Sequence, residues 1–200
     1  MADFKTANTV GARISALRKA RGFASAKALA EEIPGDSITE SILQNIEAGR
    51  KNDLAVAQLL NLAWALKVSP LFILAPLGSP HENLDLPNIV PDVQKLTVGE
   101  FDAWISGIDG IYRPMTAAEH SERTQLEALR ELLRARREAH RLTVVIELET
   151  ESPGDAAATD GAPSWTNTQQ RLDDTNRQIA QLEAYLGTGG WNISRNGLEQ

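Results

Sequence analysis

The sequence predicts an all-α protein: a compact five-helix N-terminal domain, then a linker, a short helix and a long helical hairpin or coiled coil. Three observations carry this prediction. Apolar residues recur at three- and four-residue steps, capping side chains stand just ahead of those runs, and Gly or Pro stands just behind them. The expected boundaries are 1–79 for the first domain, 80–115 for the linker with its short helix, 116–187 for the helical region and 188–200 for a flexible tail.

The first helix runs through TVGARISALRKARG, where Val10, Ile14 and Leu17 share a face and Gly22 closes the last turn. Ser25 caps a second, AKALAEEI, which Pro34 and Gly35 terminate. Thr39 caps a third, ESILQNIEA, stopped by Gly49. Asp53 is expected to cap a fourth, LAVAQLLNLAWALKV, and Pro70 takes the favoured first position of a short fifth, PLFILA. The expected core is Ile14, Leu17, Leu29, Leu43, Ile46, Leu59, Leu62 and Leu66.

The stretch GSPHENLDLPNIVPDVQ is rich in Pro, Asn and Asp and reads as a linker. Thr97 and Glu100 then form a capping box for a short helix carrying Phe101, Trp104 and Ile105. Thr116 and Glu119 form another, opening a long helix in which Ala128, Leu132, Ala135, Ala139, Leu142 and Ile146 alternate at three and four residues. Leu129 and Leu133 widen that face. The β-branched run TVVIELET would also suit a strand, but the three-four spacing continues through it and favours helix. Beyond ESPGDAAATDGAPS, residues Trp165, Leu172, Ile179 and Leu186 stand seven apart, with Thr168, Thr175 and Leu182 between them. Such heptads pack helix on helix, and Leu132, Ala139, Leu142, Ile146, Leu172, Ile179, Leu182 and Leu186 are the expected oligomerisation residues.

Composition narrows the function. The 200 residues contain no cysteine, so disulfides and thiolate zinc sites are excluded, and a reducing cytoplasm is expected. The first twenty residues lack the apolar core of a signal peptide. Gln58, Asn61, Lys67, Ser69 and Pro70 divide the most hydrophobic run, 54–78, into pieces too short to cross a bilayer. His81, His120 and His140 are scattered, with no HExxH motif and no glycine-rich phosphate loop after a strand, so neither an enzyme nor a cofactor is expected. Formal net charge is −7, yet residues 1–55 carry eight Lys or Arg against seven Asp or Glu, which leaves the acidity to the remainder. A nucleic-acid contact would therefore lie at the N-terminal end and depend on local placement of cations.

On the third helix, Leu43 and Ile46 face one way while Glu40, Ser41, Gln44 and Asn45 project on the other. That quartet has the donor and acceptor chemistry needed to read base edges in the major groove, though a merely solvated face would look the same in isolation. The context sharpens the reading. RISALRKARGFASAKALAEEI, SITESILQNIEAGRK and LLNLAWALKVSPLFIL, taken together over residues 9–75, resemble the lambda-repressor-like helix-turn-helix family, also called the Cro or XRE family.

The resemblance implies a sequence-specific transcriptional repressor, such as the immunity repressor of a temperate phage or a related bacterial regulator, dimeric and bound to a two-fold symmetric double-stranded DNA operator. It implies base reading by Glu40, Ser41, Gln44 and Asn45, with Asn45 suited to adenine and Glu40 to a cytosine amino group. Phosphate contacts are expected from Thr39, Arg50, Lys51, Lys27, Arg18 and Lys19, with Arg13, Arg18 and Lys19 equally suited to a solvated face. Two departures stand out. The chain has about three residues more than the usual spacing between LAEE and IEAG, and Ala26 stands where many members have a phosphate-binding glutamine. Some phage repressors carry a self-cleaving serine-lysine domain that is mostly strand; the helical C-terminal half here is unlike it. In RELLRARREAHR, spacing favours ion pairs of Glu127 with Arg130, Glu131 with Arg134, and Arg134 with Glu138 over contact with DNA. An antitoxin or adaptor, binding a protein partner through the C-terminal helices and DNA for autoregulation, is the second reading. A third is an interaction module that no longer binds DNA.

Overall fold

A computed structural model describes residues 3–108, 113–151 and 164–193. The chain is all-α: among the described residues there are nine helices and no strand, only an isolated antiparallel bridge between Asn83 and Thr97. It divides into two compact units, Met1–Pro114 and Met115–Gln200. None of the helices described is long and apolar enough to cross a membrane.

In the first unit, α1 (Val10–Ala20), α2 (Ala26–Glu31) and α3 (Glu40–Glu47) are capped by the hydroxyls of Thr9, Ser25 and Thr39. Each hydroxyl accepts a main-chain N–H that the first helical turn would otherwise leave unpaired. α4 (Val56–Ala65) starts later than Asp53 would dictate. Ala55 is its N-cap, and Gln58 Oε1 accepts from Ala55 N at 3.2 Å, while Asp53 accepts instead from Asn88 Nδ2 at 2.7 Å. A short α5 (Leu71–Leu74) follows Pro70. Ile14, Leu17, Leu29, Leu43, Ile46, Leu62 and Leu66 are buried in one core with Ile33, Ile38 and Ile73; Leu59 is only partly buried at its margin.

The stretch expected as a linker is folded. α6 (Pro91–Gln94) and α7 (Val98–Ile105) lie within it, the latter opened by the expected capping box. Main-chain bonds from Leu84 N to Leu96 O (3.0 Å) and from Val98 N to Glu82 O (2.9 Å) close the loop that carries α6 onto the start of α7. Leu84, Val98 and Phe101 then form a second core with Ala75. Arg13 joins this layer to α1. Its guanidinium is fully buried, grips Asp85 with both Nη groups (2.9 and 3.0 Å) and donates to the carbonyls of Ala7, Ile73 and Leu74. Arg13 thus satisfies its fork within the unit, which removes it from any solvated face.

In the second unit, α8 (Ala117–Glu151) follows the Thr116–Glu119 capping box and includes TVVIELET as helix. α9 (Ser164–Thr188) returns antiparallel to it, because Gln125, Glu131 and Glu138 meet Trp191, Gln178 and Arg171 in reverse order. The seam buries Ala128, Leu132, Ala135, Ile179 and Leu186, with Leu129, Ala139 and Leu182 packed at its edges. Leu142 is buried farther along α8, and Ile146 and Leu172 are half-buried. Of the residues expected to join two chains, Leu132, Ala139, Ile179, Leu182 and Leu186 line a contact inside one chain. Heptads record only that helices meet, and a hairpin satisfies them without a second copy. Glu138 pairs with Arg141 at 2.6 Å and Arg171 at 3.2 Å rather than with Arg134.

Candidate nucleic-acid interface

α3 is held from within at two places. Gly11 of α1 lies so close to it that an added Cβ would stand 2.1 Å from Ile46 O, so only glycine permits the approach. Two turns farther along α1, Arg18 forms a two-pronged ion pair with Glu47, Nε to Oε1 at 2.7 Å and Nη2 to Oε2 at 3.0 Å, and donates Nη1 to Phe23 O. The hydrogen bonds that Arg18 donates to Glu47, more than the carboxylate's charge, raise the guanidinium pKa against the cost of burial. Arg18, expected among the phosphate contacts, is 6% exposed and committed to this pair. Its periodicity placed it beside Lys19, but its partner lies 29 residues away, beyond any local pattern.

Leu43 and Ile46 face inward at 0% and 1% exposure, and Glu40, Ser41 and Gln44 are exposed, with Asn45 half-buried. Gln44 Nε2 donates to Glu40 Oε1 at 2.9 Å, one helical turn back. The helix ends in a Schellman motif: Gly49, at φ +69°, donates its N–H to Ile46 O, and Arg50 N donates to Asn45 O at 2.9 Å. This reversal folds Arg50 over the last turn, where its Nε donates to Asn45 Oδ1 at 2.9 Å. Reader and clamp, expected as separate roles, are hydrogen-bonded to each other, which local spacing alone does not reveal.

The remaining expected contacts are accessible. Lys19 is exposed, Lys51 is half-buried, and exposed Lys27 stands 3.8 Å from Glu31. Thr39 is exposed, with its hydroxyl occupied as acceptor from Ile42 N. Ala26 is buried against the core rather than turned to solvent. The longer turn between α2 and α3 is anchored, since Ile33 and Ile38 bury their side chains while Gln58 and Asn61 of α4 donate to Ser37. Gly35 supplies the positive φ that it requires. Among the described residues no three His, Asp or Glu side chains gather closely enough to hold a metal ion. Comparisons of the chain with known protein families, with curated proteins and with solved structures find no match.

Proposed function

We propose that the chain is a sequence-specific, double-stranded-DNA-binding transcriptional repressor of the lambda-repressor-like helix-turn-helix type, a phage immunity repressor or related cytoplasmic regulator, without enzymatic activity or cofactor. One observation carries the reading. α3 is fixed to α1 by the Gly11 contact and the Arg18–Glu47 pair, while Ser41, Gln44 and Asn45 turn outward beside the cations Arg50 and Lys51. A rigid helix presenting amides and a hydroxyl, flanked by cations, suits readout of base edges positioned by phosphate contacts.

A two-fold symmetric operator calls for a dimer, and the hairpin seam is already filled within one chain. The reading therefore transfers dimerisation to α4, where Val56, Leu60 and Trp64 form an exposed stripe one helical turn apart and Trp64 is 87% exposed. The antitoxin or adaptor reading also draws on one observation. Val144 and Leu148 leave apolar surface uncovered toward the end of α8, Leu148 at 61% exposure, where a protein partner could dock. Selection of bound sequences from random duplex DNA by the full chain tests the first reading, and co-purification of a second polypeptide on α8 tests the second.

A further inference from the structure

The geometry points to Arg50 as a guanine reader held in place by Asn45, in place of an Asn45 adenine reader beside an Arg50 phosphate clamp. This inference rests on the DNA-binding reading of α3 and names the base that one part of it recognises.

Arg50 is pinned to Asn45 at two points. Its main-chain N–H bonds to Asn45 O as part of the Schellman turn, and its Nε bonds to Asn45 Oδ1, each at 2.9 Å. The first bond is a property of the backbone reversal at Gly49, whose φ of +69° other residues rarely adopt. The second fixes the plane of the guanidinium. With Nε engaged, the two Nη groups form the open end of the fork, and no hydrogen bond occupies them among the described residues. Two parallel donors on a rigid plane match O6 and N7 of guanine, the most frequent specific contact that arginine makes in the major groove.

The same bond changes what Asn45 can do. An amide that recognises adenine must present its oxygen to N6 and its nitrogen to N7 together. Asn45 Oδ1 is already turned to Arg50, so its amide serves as a brace. Asn45 lies one turn from Ser41 on α3, so an arginine tethered to it is drawn toward the outward polar face rather than left to sweep the surrounding solvent. Holding the fork before contact removes part of the rotamer entropy that a free arginine loses on binding. Asn45 is accordingly a positioning residue, and Arg50 the residue that touches the base.

The test uses the full chain and the duplex that it enriches from random DNA, with each guanine replaced in turn by 7-deazaguanine, which lacks the N7 acceptor but pairs normally. The inference expects one guanine per half-site whose replacement weakens binding severalfold, below the ceiling of about 150-fold for losing a whole bidentate pair, because O6 remains. Arg50→Ala should abolish that sensitivity, and Arg50→Lys should abolish most of it while keeping the salt dependence. Asn45→Ala should reduce the sensitivity without changing the salt dependence, because it removes the brace and no charge. Helical content measured for each variant checks that α3 persists. Uniform weakening of all sequences by Arg50→Ala, with the salt slope falling by about one ion and no sensitive guanine, overturns the inference in favour of a clamp. So does an adenine preference that disappears with Asn45→Ala. In both cases DNA binding survives, whereas failure to enrich any sequence rejects the DNA-binding reading itself.

Discussion

Arg18 and Glu47 join the last turns of α1 and α3 through two hydrogen bonds, at 2.7 and 3.0 Å, with both side chains largely out of water. Removing one partner leaves the other charge buried without compensation, at a cost of about 3–5 kcal/mol. Glu47→Ala and Arg18→Ala should each lower stability by about that amount. In a double-mutant cycle the two losses should be far from additive, as read from chemical denaturation. Additive losses would show that the pair does not act as one unit.

Gly11→Ala isolates the second attachment of α3. Alanine gains about 1 kcal/mol of helix propensity over glycine. Here its Cβ meets Ile46 O, part of the main chain and unable to rotate aside. Overpacking of this kind costs about 1–3 kcal/mol. Thermal unfolding should show a destabilised protein, and a stabilised one would mean that α1 and α3 do not approach as closely as described.

The legible parts of the fold were those dictated locally. Thr39, Leu43, Ile46 and Gly49 define α3 within one short stretch, and a cap, an inward face and a positive-φ stop can all be read from neighbours in sequence. The α4 boundary was not legible, since Asp53 is a good cap by type and is diverted by Asn88, 35 residues away. Leu84 packs on Val98 and Phe101 of α7 from a segment without helical periodicity, so its surroundings of Pro, Asn and Asp resembled a linker. In the candidate site the outward face of α3 was readable. The Arg18–Glu47 pair depended on tertiary contact, and the Asn45–Arg50 bond on a backbone reversal.

Asp85 sets the minimal folded unit. A fragment ending at Ser79 lacks the carboxylate that Arg13 grips and the residues of the second core. A fragment ending at Pro114 should unfold cooperatively, and the shorter one should be less stable by several kcal/mol, on the order of a broken buried ion pair. Equal denaturation midpoints for the two would remove Arg13–Asp85 from the account.

Glu100 gives α7 an acid limit. Its carboxyl accepts from the main-chain N–H and the hydroxyl of Thr97, and these bonds hold its pKa below the ordinary carboxylate value. A carboxyl depressed in the folded state stabilises it above the unfolded pKa, near 4.3, and that contribution is lost as pH falls through the lower folded value. The protection of α7 amides, corrected for the intrinsic exchange rate at each pH, should therefore fall below about pH 4. Glu100→Gln, which can still complete the capping box, should flatten this dependence. Identical acid profiles for the variant and the parent would assign the transition elsewhere.

The hairpin and the α4 stripe should respond differently to a charge. Ile179→Asp places a carboxylate in the seam of a single chain and should lower helical content. Leu60→Asp, on a surface already 50% exposed, should keep the helices and shift the chain from dimer to monomer by sedimentation. Loss of the dimer in Ile179→Asp with full retention of helix would return the interface to the hairpin.

The central claim is that the outer face of α3 reads DNA. Its most direct measurement is a selection from random duplex DNA with the full chain, run in parallel with a Ser41→Ala, Gln44→Ala double variant that leaves the Leu43 and Ile46 anchors in place. The account predicts a two-fold symmetric consensus bound at least about 10³-fold more tightly than unrelated duplex, with the variant losing preference at defined positions of each half-site. Enrichment of the same sequences to the same degree by both proteins, or of none by either, would contradict it.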